Sequence, residues 1–289
     1  MLVAPSNSKI AFVKMSGAGN DFVIIDNREQ KINLSTTQVA LLSERKNIGC
    51  DQLIVIENGA TNYDCEMIIY NSDGSKSAAC GNATRCVAAI IMAQKNTSEV
   101  KIKTAAGILK CWRYEQNPNL ISVAIAIPTF VARNIPMAQE LDTAGFVINE
   151  ENLQSHKFFA LNVGNPHCIS FIEAPLSDKE FFNIGPQIEH HQLFPQKTNV
   201  EFAQILSDDL INVRVWERGV GETLACGTGA CAVAVAAIKN NLIKSTKVTI
   251  RFKGGDLLIE WSGEGQQVIM TGDYKKIFDG TIDLSLFDA

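Results

Sequence analysis

Two cysteines stand at the start of two similar segments of this chain. One segment reads Ala79-Cys80-Gly81 and the other Ala225-Cys226-Gly227, about half of the 289-residue chain apart. In each, a strand-like apolar run and a polar turn precede the cysteine, and an apolar helix of small residues follows it. The repeat predicts a duplicated fold that offers one thiol from each half.

A cysteine beside glycine at the start of a helix has two chemical consequences. The helix dipole and its open N–H groups favour the thiolate, so the thiol pKa is expected to fall. Glycine lets a ligand approach the backbone, so the same N–H groups can hold a carboxylate. Two such sites facing each other could remove a proton from one face of a carbon α to a carboxylate and return one on the other face. This chemistry is racemisation or epimerisation.

Composition excludes several other classes of function. Hydrophobic residues make up 46% of the chain and charged residues 20%, with a formal net charge of −5 and no long basic run. A nucleic-acid or anionic-membrane surface is therefore not expected. The first nine residues lack the pattern of a signal peptide, and no apolar run approaches the roughly 20 residues of a membrane span. The eight cysteines are interpreted as cytosolic thiols, and without a Cys-x-x-Cys pair no metal site is expected.

Apolar periodicity predicts two buried helices, residues 82–94 and 227–239, among many short strands. This pattern favours an α+β fold with two pseudo-symmetric domains, each a curved, mostly antiparallel sheet wrapped around a central buried helix. The predicted domains are residues 1–127, which contain Cys80, and residues 128–274, which contain Cys226. The polar stretch 139–154 is interpreted as a passage between the domains.

At the motif level the chain resembles the diaminopimelate epimerase family. The match spans about residues 10 to 275 in the family's order. Ala83 is one departure, since many members have glycine there. The motifs are Gly17-Ala18-Gly19-Asn20-Asp21-Phe22, Gly49-Cys50-Asp51-Gln52, Asn71-x-Asp73-Gly74-Ser75 with Cys80-Gly81-Asn82-Ala83-x-Arg85, Gly164-Asn165-Pro166-His167, Glu217-Arg218-Gly219 and Ala225-Cys226-Gly227-Thr228-Gly229.

The resemblance implies a cytoplasmic, cofactor-independent epimerase that converts LL- to meso-diaminopimelate for lysine and peptidoglycan synthesis. It implies a homodimer as well, and it implies that residues 275–289 return to the first domain, which then consists of residues 1–127 plus 275–289. Cys80 and Cys226 would be the base and acid pair, with His167 and Glu217 tuning the site near the thiols. The family's substrate-binding positions correspond to Asn20, Gln52, Asn71, Gly81, Asn82, Asn165, Asn199, Glu217, Arg218, Gly227 and Thr228, of which Gly81-Asn82 and Gly227-Thr228 would hold the α-carboxylate.

Simpler interpretations of these residues stay open. Asparagines most often occupy turns, and His167 after a proline is equally compatible with a structural histidine. The Arg218 side chain could be a surface charge. The other six cysteines are interpreted as small core residues.

Three other functions stay open on the sequence. A proline racemase-like enzyme would share the architecture, but Glu217-Arg218 and the asparagines suit a substrate with a second polar end. A redox or metal-binding protein and an interaction module are disfavoured, because neither explains two matched Cys-Gly helix starts.

Overall fold

The computed structural model describes residues 9–29, 32–150 and 153–287. The first nine residues, in which no signal-peptide pattern was found, lie outside the described residues apart from Lys9. The chain divides into two compact units, Met1–Val123 with Gly272–Ala289, and Ala124–Thr271.

The first unit contains strands that surround one long helix. Its elements up to the second unit are β1 (Lys9–Gly17), β2 (Asn20–Asp26), α1 (Thr36–Ser43), β3 (Gln52–Ala60), β4 (Tyr63–Asn71), β5 (Lys76–Ser77), α2 (Gly81–Lys95), β6 (Glu99–Thr104), β7 (Gly107–Tyr114) and β8 (Asn117–Ala124).

The second unit repeats this order of elements. It contains β9 (Phe158–Asn162), β10 (Pro166–Phe171), α3 (Asp178–Glu189), β11 (Asn199–Ser207), β12 (Leu210–Glu217), β13 (Gly221–Glu222), α4 (Gly227–Lys239), β14 (Lys247–Phe252), β15 (Gly255–Glu260) and β16 (Ile269–Gly272). The chain then returns to the first unit as β17 (Lys275–Asp283), which pairs antiparallel with β1.

Strand pairing is the same in the two units. Strands β1–β2, β3–β4, β4–β5 and β6–β7 pair antiparallel, whereas β2–β3 and β4–β6 pair parallel. Strands β9–β10, β11–β12, β12–β13 and β14–β15 are antiparallel in turn, with β10–β11 and β12–β14 parallel. In both units, the chain between the two strands of each parallel pair contains a helix. The duplicated, mostly antiparallel α+β fold expected from the sequence is confirmed.

Each unit has one helix at its centre. Helix α2 packs against β1, β2, β4, β6 and β7, and α4 packs against β9, β10, β11, β14 and β15. In α4 every residue from Gly229 to Ala237 is buried. A helix buried all round must be made of small and apolar side chains if several strands are to approach it closely. The alanine-rich sequence of this helix satisfies that requirement.

Helix bounds agree closely with the sequence prediction. The helix predicted over residues 82–94 extends from Gly81 to Lys95, and the second spans Gly227–Lys239 as predicted. The described part of the polar stretch 139–154 lies in the second unit, where Ile148 and Leu153 are buried in a core under α3. This segment is therefore part of the second unit's core as well as a connection.

A glycine-containing turn joins β1 to β2. Ala18 and Gly19 both have left-handed backbone angles, with φ of 47° and 84°. Two such residues form the type I′ turn that matches the twist of a tight hairpin. The turn places Asn20 at the first position of β2.

Packing around α2 generates a test with a matched pair of variants. Ala88 is fully buried, whereas Ala93 lies on the exposed face of the same helix. We expect Ala88→Leu to destabilise the fold by about 1–3 kcal/mol, because the extra methyl groups have no room in a packed core. Ala93→Leu should change stability by less than about 0.5 kcal/mol. Urea unfolding followed by circular dichroism measures both, and equal midpoints would contradict the central placement of α2.

Candidate active site

Cys80 is the residue immediately before α2. Its backbone is extended, with φ −150° and ψ 106°, and its side chain is half-buried. The Cys80 carbonyl accepts from the Thr84 amide at 3.0 Å and from the Thr84 hydroxyl at 2.8 Å. These bonds fix the thiol at the start of a helix whose first residue, Gly81, carries no side chain.

Asn82 and Asn20 form a linked pair beside this helix start. The Asn82 amide donates to Asn20 Oδ1 at 2.8 Å, and the Asn20 amide donates to Asp51 Oδ2 at 3.2 Å. Asn82 Oδ1 is buried and has no hydrogen-bond partner among the described residues. A buried acceptor of this kind favours binding of a donor such as an ammonium group.

Gln52 and Asn71 form a second pair, across the antiparallel strands β3 and β4. The Gln52 amide donates to Asn71 Oδ1 at 3.1 Å, and the Asn71 amide donates to Ser75 Oγ at 3.1 Å. Asn71 ends β4 just before the turn that leads to Cys80. The pair therefore fixes that turn as well as presenting two amides.

Ionic contacts anchor Asn20, although sequence analysis assigned no role to the residues that make them. Asp21 lies 2.5 Å from Lys14 Nζ and 2.7 Å from Arg45 Nη1, and Arg45 also contacts Asp51. Burial raises the pKa of Asp21, but the bonds from Arg45 and Lys14 outweigh burial and lower it to about 2. The sequence did contain a signal of these contacts, because Asp21 and Asp51 lie next to Asn20 and Gln52 in the motifs.

Cys226 holds the equivalent position before α4. It is 6% exposed and its backbone is again extended. Its sulfur accepts from the Gly229 amide at 3.4 Å and lies 3.5 Å from the Thr228 hydroxyl. The thiol therefore caps the first turn of its own helix.

The expectation that a helix start lowers the thiol pKa is wrong for Cys226. Burial raises the pKa of this thiol well above its ordinary value, and the carboxylates of Glu217 and Glu201 raise it further. Bonds from Thr228 and Gly229 oppose the shift without reversing it. A thiolate in a buried site beside two carboxylates is disfavoured, so Cys226 is held as the neutral thiol.

Glu217 lies at the end of β12 and points toward Cys226. Burial raises the pKa of its carboxyl, while bonds from Thr223 and Cys226 lower it. The Cys226–Glu217 contact brings together two residues that the sequence separates by a turn. The raised pKa values favour the protonated form of both side chains.

His167 is fully buried on β10. Its Nδ1 is 2.7 Å from Glu201 Oε1, and its Nε2 is 2.9 Å from Asn165 Oδ1. Both ring nitrogens thus have polar partners within the second unit. The histidine and Asn165 come together as the motif suggested, but Glu201 was missing from the sequence prediction.

Asn199 connects β10 to the turn after β12. Its amide donates to the Pro166 carbonyl at 2.8 Å, and its Oδ1 accepts from the Arg218 amide at 3.0 Å. The Arg218 side chain is exposed and donates to the Gln196 carbonyl at 3.3 Å. Asn199 therefore positions the Glu217-Arg218 turn, and the Arg218 guanidinium stays accessible to a ligand.

The predicted residues occupy equivalent places in the duplicated units. Asn20 and Asn165 each lie at the turn before a strand, and Gln52 and Asn199 each begin the next strand. Asn71 and Glu217 each end the strand before a cysteine turn. Each unit thus offers a thiol, the first turn of a helix and a rim of amide or carboxyl groups, which suits binding and proton transfer at an amino-acid α-carbon.

Across residues 9–29, 32–150 and 153–287, no group of three or more His, Cys, Asp or Glu side chains could hold a metal ion. None of the helices in these ranges is long and apolar enough to span a membrane.

The sequence is similar to known diaminopimelate epimerases. The diaminopimelate epimerase family profile matches residues 12–131 and 159–277. The chain is 45% identical over 252 residues to the diaminopimelate epimerase of Pelagibacter ubique, covering 85% of this chain and 89% of that protein. It is 41% identical over 278 residues to that of Sphingopyxis alaskensis, covering 96% and 98%.

Solved structures share the fold at low sequence identity. A hydroxyproline epimerase from Agrobacterium vitis superposes with a TM-score of 0.68 at 13% identity, covering 95% of this chain and 92% of that one. A probable proline racemase from Agrobacterium radiobacter gives 0.66 at 15% identity, covering 96% and 94%. At this identity the likeness extends to the architecture alone.

Gly229 provides a test of how tightly the Cys226 helix start is packed. A Cβ at this position would lie 2.8 Å from Glu201 Oε1, 3.2 Å from Cys226 Cβ and 3.4 Å from Cys226 Sγ. Helix propensity alone makes alanine better than glycine by about 1 kcal/mol. We expect Gly229→Ala instead to lower both the melting temperature and the turnover rate, because the methyl group must displace a buried carboxylate or the thiol.

Calorimetry and a racemisation assay on the Gly229→Ala variant decide between these effects. A variant that is more stable than the wild type and fully active would show that the contact is loose.

Proposed function

Since this chain belongs to the diaminopimelate epimerase family, we propose that Cys80 and Cys226 are the acid and base with which it inverts the α-carbon of its substrate. The reaction is the interconversion of LL- and meso-2,6-diaminopimelate, an isomerisation that feeds lysine and peptidoglycan synthesis. The observation that carries the assignment of roles is the repeated geometry. Each unit places one cysteine in extended backbone immediately before its central helix.

Proton transfer in this scheme balances between the two sulfurs. One thiolate takes the α-proton as the C–H bond breaks, and the other thiol donates its proton to the opposite face as a new C–H bond forms. The two sulfurs exchange protonation states, and the reverse reaction restores them. The environment of Cys226 holds it as the neutral thiol, so we assign it the acid in the resting enzyme and Cys80 the base.

Other residues are proposed to bind the substrate and adjust the thiols. The amides at Gly81-Asn82 and Gly227-Thr228 hold the α-carboxylate, where helix N–H groups stabilise the negative charge that develops as the proton leaves. Glu217 and His167 tune the electrostatics of the site. The remaining amides, of Asn20, Gln52, Asn71, Asn165 and Asn199, and the Arg218 guanidinium bind the substrate or hold its binding groups, with the arginine suited to the distal carboxylate.

Substitution of the two thiols tests the proposed roles. We expect Cys80→Ala and Cys226→Ala each to reduce epimerisation by at least about 10²–10⁴-fold, the usual contribution of general acid or base catalysis. The assay is NMR of LL-diaminopimelate in D₂O under reducing conditions, which detects both deuterium at the α-carbon and meso product.

Cys231→Ala is the matched control, since it removes a buried sulfur from the same helix as Cys226 but away from its first turn. Retention of wild-type exchange by either of the first two variants, with the fold intact by circular dichroism, would refute the two-thiol mechanism.

We also propose that the protein is cytoplasmic and forms a homodimer. All eight cysteines are thiols in the described structure, which suits a reducing compartment. Ile277 and Phe278 on β17 are each 48% exposed, and paired apolar side chains on a strand surface favour contact with a second copy.

Light scattering tests the dimer. We expect twice the 31.5 kDa mass of one chain for the wild type, and a shift toward the monomer in Ile277→Lys, because a charge placed in an apolar contact is costly. Val147→Lys changes an equally exposed apolar residue in the other unit and should remain dimeric. A monomeric wild type would contradict the proposal.

A further inference from the structure

Glu201 is a buried carboxylate that none of the motifs includes. It lies within β11, where its neighbours Val200 and Phe202 are apolar, and it is 0% exposed. Burying a carboxylate costs several kcal/mol unless hydrogen bonds or charges compensate it. A carboxylate kept at this cost between two buried apolar neighbours calls for a physical reason.

One oxygen of Glu201 binds the histidine of the site. Oε1 lies 2.7 Å from His167 Nδ1, and both side chains are fully buried. A ring N–H donates and a carboxylate oxygen accepts, so this contact holds the His167 ring in one orientation. Glu201 therefore fixes both the ring orientation of His167 and the nitrogen that faces Asn165 at 2.9 Å.

The same oxygen also lies behind the first turn of α4. The position of a Cβ on Gly229 is 2.8 Å from Glu201 Oε1 and 3.4 Å from Cys226 Sγ. Together the two distances place the carboxylate oxygen at most about 6.2 Å from the Cys226 sulfur. A negative charge at this short range, in a buried site with little water to screen it, acts strongly on the ionisation of the sulfur.

The second oxygen of Glu201 is buried without a hydrogen-bond partner in the described residues. An unpaired acceptor on a charged group is among the more costly defects in a protein interior. The carboxylate is therefore not used simply to satisfy neighbouring donors, and its charge is available to act on the groups around it.

We infer that Glu201 is a positioning residue for the epimerase reaction, which fixes the His167 ring and places a negative charge behind Gly229 that keeps Cys226 in the thiol form. The inference rests on the proposed acid role of Cys226. The other titratable and charged groups that face this cluster are Glu217 from β12 and Cys168, the neighbour of His167 on β10. Burial and Glu217 act on Cys226 in the same direction as Glu201.

Removal of the charge without a change of shape is the test. Glu201→Gln keeps an acceptor for His167 Nδ1 but no longer repels a thiolate at Cys226. In the Cys80→Ala background, we measure the pH dependence of Cys226 alkylation by iodoacetamide with mass spectrometry. The midpoint should move to lower pH in Glu201→Gln. Glu260→Gln, which removes an exposed carboxylate of the same unit that is paired with Lys247, should leave the midpoint unchanged.

Kinetics of the variants with Cys80 intact give the second readout. We expect Glu201→Gln to lower kcat with little change in KM and to shift the alkaline limb of the kcat profile to lower pH. Glu201→Asp retains the charge on a shorter side chain, so it should keep the wild-type pH profile even where the longer reach to His167 lowers the rate. If Glu201→Gln does not fold, Glu201→Asp becomes the test. A pH midpoint of Cys226 alkylation in folded Glu201→Asp that equals the midpoint in unfolded protein would overturn the inference.

Two outcomes separate this inference from the proposed function. If Cys226→Ala is inactive and the Glu201→Gln alkylation curve overlays the wild type, the role of Glu201 is refuted while the two-thiol mechanism stands. If Cys226→Ala retains activity, the acid role of Cys226 fails and the inference fails with it. A loss of melting temperature and rate with no movement of either pH profile shows that Glu201 is only a structural residue.

Discussion

The N–H groups in the first turn of a helix cannot donate hydrogen bonds to carbonyls of the same helix. In each unit, that first turn belongs to a central, largely buried helix. In α4 the sulfur of Cys226 accepts from the Gly229 amide, and glycine keeps the remaining backbone uncovered. The surrounding sequence follows from this constraint. Small residues let the sheet surround the helix, and the strands on either side of the turn carry the polar groups that fix the cysteine in place.

The two units apply one pairing scheme to two different electrostatic environments. Around Asn20, the carboxylate of Asp21 is balanced by Lys14 and Arg45. Around Cys226, two glutamates share hydrogen bonds with a hydroxyl, a thiol and a histidine. The backbone therefore supplies the symmetry that a reaction on two faces of a carbon requires, while the charged side chains differ between the two units.

Local sequence was sufficient to place the two central helices and both cysteines. The apolar runs that predict α2 and α4 are contiguous, and the Ala-Cys-Gly steps mark where each helix begins. The acidity of Cys226 could not be predicted in the same way. It depends first on burial and then on Glu217 and Glu201. Glu201 comes near the first turn of α4 because β11 packs against that helix. A glutamate within an apolar strand was the one local signal of this contact, and it does not identify the partner.

The pairing of β17 with β1 has a consequence for how the protein is made. These strands come from opposite ends of the described chain, and their ladder runs from Lys9 with Asp283 to Ser16 with Lys275. A ribosome synthesises the whole second unit before β17 emerges. The second unit therefore has all its strands before the first unit, which still lacks β17. Until β17 has emerged, β1 has an open edge of unpaired backbone groups, the kind of surface that chaperones protect from aggregation in nascent chains.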